Sequence, residues 1–172
     1  MTNEIAASAD QIIFRHSVSE NLPCNTFSMH THNTYELLYI VSGDATHVIE
    51  DRKYKLKKGD LILIRPFRSH FIQIDAPAKY ERYDILFDME KHGVESLRLI
   101  PESMEVINIS GNSVLEEIFR KCDLYRQSCD DEIFEKLLSH LLSELFYNLH
   151  VFPHAVSQDA SSVSPLISKV LQ

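Results

Sequence analysis

Up to Ser110, β-branched and aromatic residues come in short runs broken by turn-forming residues. The runs cover residues 11–16, 25–30, 35–41, 45–50, 53–56, 61–65, 69–75, 80–88 and 104–109. Many short runs at close spacing predict strands of a sandwich or barrel rather than alternating βα units. Ser42-Gly43-Asp44 closes one hairpin, and Lys57-Lys58-Gly59-Asp60 leads into the next strand. From Leu61 to Ile64 the run is continuously apolar, so this strand is expected to be buried on both faces.

Beyond Ser110 the period becomes helical. Ser113 and Glu116 have capping-box spacing, and Leu115, Ile118, Phe119 and Cys122 then fall on one face, predicting a helix over 112–127. Asp130 and Asp131 suit the positive end of a second helix over 131–150. Its apolar positions, from Ile133 and Phe134 to Leu149, form a broad stripe. Packing on the barrel accounts for one edge of such a stripe. The remaining width suggests a dimer seam, with Leu138, Leu141, Leu142, Leu145 and Leu149 as candidates. Residues 153–163 are small and polar, as in a linker. Ser164-Pro165 then begins a further helix, with Ile167, Val170 and Leu171 on one side, which stops at Gln172. About two turns cannot stand alone, so a longer parent protein is expected. Three units follow: a barrel over 1–110, a helical segment over 111–152, and a linker with the start of another domain over 153–172.

A chain of 172 residues with 44% hydrophobic and 24% charged residues can bury its own core. Its formal charge of -8 opposes phosphate, so this piece alone is expected to bind DNA poorly. Cys24, Cys122 and Cys129 fit no metal spacing and are read as reduced thiols. Residues 1–10 lack the features of a signal peptide, and no run is long enough to span a membrane, so a soluble cytoplasmic protein is expected.

The chemistry concentrates in His30-Thr-His32-Asn-Thr-Tyr-Glu36. On an unbroken strand, His30, His32 and Glu36 share one face. His70, on another strand, adds a third imidazole. Three imidazoles and a carboxylate suit a divalent metal such as Zn, Ni, Fe or Mn, with positions left open; a hydrogen-bonded polar cluster is the alternative. Barrels of this size also hold small ligands in their mouths. Candidate pocket residues are His30, His32, Glu36, His70, Ile72, Arg82 and Asp84. For Arg82 and Asp84 the rarity of unpaired buried charge favours a solvated face opposite Tyr83, Ile85 and Phe87. The remaining histidines, His47 among them, are read as surface or incidental core residues. Neither a phosphate loop nor a nucleophile elbow is visible.

His-x-His, Glu36 and Gly43, followed by Gly59 through Pro66 to His70, resemble the two conserved stretches of the cupins. Cys24, the glycine-free step Pro66-Phe-Arg-Ser-His70 and Ile74 depart from the metal-enzyme form of that pattern. Glu36-Leu37-Leu38-Tyr39, Gly43 and the segment from Gly59 to His70 resemble instead the sensing domain of AraC-type transcription regulators. The resemblance implies a mainly β fold, a cupin double-stranded β-helix (jelly-roll) barrel followed by an antiparallel helix pair. It implies a homodimer without enzymatic activity, sensing a small-molecule effector, a sugar in some members. DNA would be bound only through a C-terminal helix-turn-helix domain absent from this chain. An N-terminal arm over the barrel mouth is a further feature of the arabinose regulator. The rival reading is a cupin metalloenzyme, an oxygenase or isomerase built on His30, His32, Glu36 and His70.

Overall fold

The computed structural model describes residues 11–152, 155–156 and 161–162. Its strands are β1 (Ile13–Leu22), β2 (Asn25–Thr26), β3 (Tyr35–Ser42), β4 (Ala45–Ile49), β5 (Arg52–Lys55), β6 (Asp60–Ile64), β7 (His70–Ile74), β8 (Ala78–Phe87), β9 (Val106–Asn108), β10 (Ala155–Val156) and β11 (Ser161–Ser162). One sheet has the order β1-β8-β3-β6-β9-β10 and the other β11-β5-β4-β7-β2. Every pairing is antiparallel. Two antiparallel sheets with the helices after them give the strand-rich architecture expected from the runs, in the cupin-type jelly-roll form with a helix pair that the resemblance implies. Residues 17–22 of β1 were not foreseen, because Ser17, Ser19, Glu20 and Asn21 break the apolar pattern. Pairing with the long β8 orders them anyway.

Strand alternation produces two cores. Leu38, Ile40, Ile62, Ile64, Ile72 and Ile74 point between the sheets. Leu37, Tyr39, Leu61, Leu63, Tyr83, Ile85 and Phe87 point the other way and pack beneath the helices. The register pairs Leu37 with both Leu63 and Ile85, and Leu38 with both Ile62 and Asp84, so neighbouring strands stay in phase. β6 is buried at all its positions, as its unbroken apolar run requires.

α1 (Ser113–Ser128) matches the expected 112–127 to within a residue, but its cap is the residue before the Ser113 of the expected capping box. Asn112 is the cap, accepting from the amides of Val114 and Leu115, and Glu116 accepts from the Gly111 amide. α2 (Asp131–Val151) is capped by Asp130. The leucines expected to form a dimer seam lie inside the monomer: Leu138 and Leu145 are fully buried, and Leu141, Leu142 and Leu149 nearly so. That expectation is corrected because α2 meets three neighbours. They are the outer face of the β8 sheet, α1, and a short 3-10 turn at Glu95–Leu99 carrying Leu97. Together they cover those five leucines, while Ile133 at the start of the stripe stays exposed. The expected arm at 1–10 and the helix beyond Ser164 lie outside the described residues. Two short pieces of the expected linker, β10 and β11, pair with β9 and β5. Among the described residues no helix is long and apolar enough to cross a membrane.

Candidate functional site

The strand carrying the first histidines is not continuous. His30 forms an isolated bridge with His70, with reciprocal amide–carbonyl hydrogen bonds of 3.0 Å. His32 sits on the loop before β3, and its carbonyl accepts from the Phe67 amide at 2.8 Å. Glu36 lies on β3. The four residues converge nonetheless: one ligand atom from each of His30, His32, Glu36 and His70 lies within 4.8 Å of the others.

The ring orientations follow from the backbone. Nδ1 of His30, His32 and His70 faces the carbonyls of Ser28, Thr34 and Arg68 at 3.0, 2.9 and 2.9 Å. A carbonyl oxygen only accepts, so each Nδ1 carries its hydrogen and each Nε2 is offered to the cluster. Glu36 Oε2 lies 2.9 Å from His32 Nε2 and 3.0 Å from His70 Nε2. Burial pushes the Glu36 carboxyl upward, but the two histidines outweigh it and hold the group well below the usual carboxylate range. His70 is raised: burial disfavours its charge, but Glu36 and the Arg68 carbonyl more than compensate. This arrangement suits a divalent metal. Were the Nε2 protons released to a metal, three nitrogen lone pairs and a carboxylate would surround one point, and each imidazole is fixed by a carbonyl behind it, as in zinc and related sites. Bound there, a metal would supply a Lewis-acidic anchor for a ligand oxygen.

Beyond the cluster, a few more polar side chains reach the barrel interior among its apolar residues. Arg82 and Asp84 do not lie on a solvated face. Tyr83, Ile85 and Phe87 are buried under the helices, and Asp84 is only 3% exposed on the opposite, inward face. Both faces of β8 are therefore covered, which corrects the solvated reading. The charges are tolerated because Asp84 Oδ2 meets Arg15 Nη1 at 3.0 Å and Arg82 lies against the ring of Tyr80, 5.5 Å from its centroid. Burial, then the nearby charge of Glu36, raises the Asp84 carboxyl. Ile72 faces inward with His70 and pairs across to His47.

His47 was not among the expected site residues. It is 2% exposed, and its ring centroid lies 5.9 Å from that of His70. Burial holds it neutral, down to about 3, despite the attraction of Glu36. The signal was present in the alternation: Ala45, His47 and Ile49 are buried at every second position of β4, and the flanking pair lines the interior.

The AraC-like ligand binding domain profile matches residues 18–171. Over 64 residues the chain is 38% identical to the HTH-type transcriptional activator RhaR of Enterobacter sp. (strain 638), covering 37% of this chain and 22% of that protein. The RhaR of Klebsiella pneumoniae is 36% identical over 67 residues, covering 39% of this chain and 23% of that protein. The chain thus matches less than a quarter of the length of these curated relatives. A solved RmlC-like cupin with a double-stranded β-helix fold from Methanocaldococcus jannaschii is 20% identical, with a TM-score of 0.41 over 46% of this chain and 72% of that one. With its profile match running through barrel and helices alike, the chain belongs to the AraC-like ligand binding domain family.

Proposed function

We propose that this chain is the effector-sensing, dimer-forming, non-enzymatic part of a cytoplasmic transcription regulator that binds DNA through a separate helix-turn-helix domain. The observation that carries this reading is the joining of a barrel interior that holds a polar cluster to a helix pair within one family match. Such a layout lets a small molecule in the barrel bias how the helices sit, provided it binds the two arrangements unequally. The physical link is β1, whose Arg15 reaches Asp84 in the interior while His16 reaches Asp123 on α1. Dimerisation uses the outward side of α2, where Ile133, Tyr147 and Val151 are exposed. Half-buried Leu137 follows Ile133 by four residues, as Val151 follows Tyr147, and His140 and Glu144 occupy the turns between these apolar pairs on the same side. The occupant of that side is a second copy, because paired half-sites on DNA are read by paired modules.

A metal held by His30, His32, Glu36 and His70 is compatible with this role as an anchor for the effector. A metalloenzyme would need the same four residues, and a reporter separates the two readings. The chain, fused to a DNA-binding domain that represses only when paired, should repress constitutively or on addition of a small molecule. Absence of repression, with metal-dependent turnover of an added substrate, would favour the enzyme.

A further inference from the structure

One edge of each sheet is closed by the chain that follows the helices. Without β10 and β11, the edge strands on this side would be β9 and β5. β10 pairs Ala155 with Asn108 and Val156 with Ile107, and β11 pairs Ser161 with Lys53 and Ser162 with Arg52. The phase of these pairings is set by the strands they join. The Leu63 amide donates to the Glu105 carbonyl and the Ile109 amide to the Gly59 carbonyl, so Glu105, Ile107 and Ile109 bond towards β6. Asn108 is left to bond outward, where its partner is Ala155. On the other sheet the Leu56 amide donates to the Ala45 carbonyl, so Arg52 and Tyr54 bond towards β4 and Lys53 outward, to Ser161. On both edges the linker therefore meets the residue whose backbone groups would otherwise lack a strand partner.

The same two edges are joined by a side-chain bridge. Glu105, the residue before β9, is 6% exposed. It accepts from the Tyr54 hydroxyl at 2.6 Å and from Arg52 Nη2, both on β5. Arg52 is the register partner of Ser162, and Tyr54 that of His47 in the barrel interior. Four residues separate the two pieces of linker, so Val156 and Ser161 can stand at most about 17 Å apart. Packed sheets lie about 10 Å apart. Both pieces can therefore pair only while the edges stay near each other, and Glu105 ties those edges. Each piece is only two residues long. Ordering a residue costs about as much as one ladder hydrogen bond returns, so docking is held near balance.

We propose that β10 and β11 form a releasable strap, docked across one edge of each sheet and aligned by Glu105, which pins the linker to the barrel at Ser162. Docked, it fixes the point from which a following domain leaves the barrel; released, it returns the whole linker to that domain as reach. Tyr54 connects the strap to the interior, because a shift of its side chain acts on Glu105 directly. The inference rests on the sensing reading for the identity of the domain that follows, whereas docking is a property of this chain alone.

The test is hydrogen exchange of the 172-residue chain, followed by mass spectrometry over peptides covering 155–162, β5, β9, β6 and α2. Ala155→Pro with Ser161→Pro removes the amide that each piece places in its ladder, and supplies the released reference. After correction for intrinsic rates, the wild-type strap should exchange about tenfold more slowly than this reference, and β5 and β9 should lose protection in the proline variant. Glu105→Gln keeps the shape of the side chain but loses the charge that holds Arg52. It should remove most of the strap's protection while β6 and α2 keep theirs. Tyr54→Phe removes one hydroxyl, should act in the same direction to a smaller extent, and decides the matter if Glu105→Gln also opens β6. A strap that exchanges as fast in the wild type as in the reference overturns the docking. Protection of the strap unchanged in both Glu105→Gln and Tyr54→Phe overturns its alignment by Glu105. Either result leaves the sensing reading standing, since the reporter tests that separately.

Discussion

Arg15 and Asp84 form an ion pair of 3.0 Å that joins the edge strand of one sheet to the interior of the barrel. The next residue, His16, turns the opposite way. Its Nδ1 lies 3.1 Å from Asp123 Oδ1 on α1, and its ring stacks on Tyr83 at 4.0 Å. Tyr83 in turn donates to Asp123 at 2.6 Å. Two places earlier, Phe14 meets Phe134 of α2 edge to face at 5.4 Å. β1 ends the order of its sheet, with β8 as its neighbour. The strand that reaches Asp84 is thus the strand that holds both helices, and its freedom is limited by those side-chain ties.

The first prediction concerns that strand. Arg15→Met removes the ion pair. The Asp84 side chain is only 4% exposed, so the loss should exceed the about 0.5–1 kcal/mol of an exposed pair. The 40% exposure of Arg15 keeps it below the about 3–5 kcal/mol of a fully buried one. The informative readout is hydrogen exchange. Protection should fall along β1 and, with it, near Asp123 on α1, while β6 stays protected. A change confined to β1 would mean that the strand does not carry the helices with it.

A second prediction follows from His47. Its folded-state value of about 3 lies below the ordinary 6.5 of an unfolded chain. Between these values the unfolded state binds a proton that the folded state does not, so stability rises with pH across that window and is lost as pH falls from 6.5 toward 3. The facing charges of Glu36, His70, Arg82 and His30 modify the effect without reversing it. His47→Phe should therefore move the midpoint of acid unfolding, followed by far-ultraviolet circular dichroism, to lower pH. An unchanged midpoint would show that His47 gains a proton without cost.

Phe67 carries the third. It adopts φ 64° in the turn before His70 and is 74% exposed, so its side chain gains little burial to offset a left-handed backbone. That conformation costs an L-residue about 1–2 kcal/mol. Phe67→Gly should relieve most of it, although glycine returns part through its freer unfolded chain. A rise in melting temperature with the His32 carbonyl contact retained is expected. A fall would assign the ring a packing role.

These residues show how far the sequence could be read. The strands, both helices and the convergence of His30, His32, Glu36 and His70 were legible because alternation and motif spacing are local. Burial on the second face of β8 was not, because whether Arg82 and Asp84 meet solvent depends on the opposite sheet. The same limit applied to α2. Stripe width indicates how much of a helix is covered, whereas whether the cover comes from the same chain or from a partner is a tertiary fact. His47 stood in a readable alternation but carried no motif around it. His32 departed from a uniform strand, yet its loop delivers Nε2 to the same point through the Thr34 carbonyl.

The fourth prediction concerns metal. If the cluster binds a divalent ion, elemental analysis of the purified chain should find near-stoichiometric content, absent from a His32→Ala, His70→Ala double variant. Removing the ion with a chelator should lower the melting temperature of the wild type and leave the double variant unchanged. Equal content in the two proteins would identify the ion as adventitious.

The last prediction separates core from seam on a single helix. Leu145 is fully buried and Tyr147, two residues on, is 57% exposed. Leu145→Glu would place an unpaired carboxylate among Phe146, Leu142 and the sheet, at a cost beyond about 4 kcal/mol, a large share of a small domain's stability. Circular dichroism should show an unfolded or partly folded chain. Ile133→Glu with Tyr147→Glu changes residues that the monomer leaves half open, so folding should be kept to within about 1 kcal/mol. In a two-fold pairing of α2 these glutamates would meet an apolar partner surface and repel their own copies. Sedimentation should therefore find folded monomers for the double variant where the wild type sediments as a dimer. A folded dimer in the double variant would move the seam to α1, where Val114 and Leu124 are the exposed apolar residues.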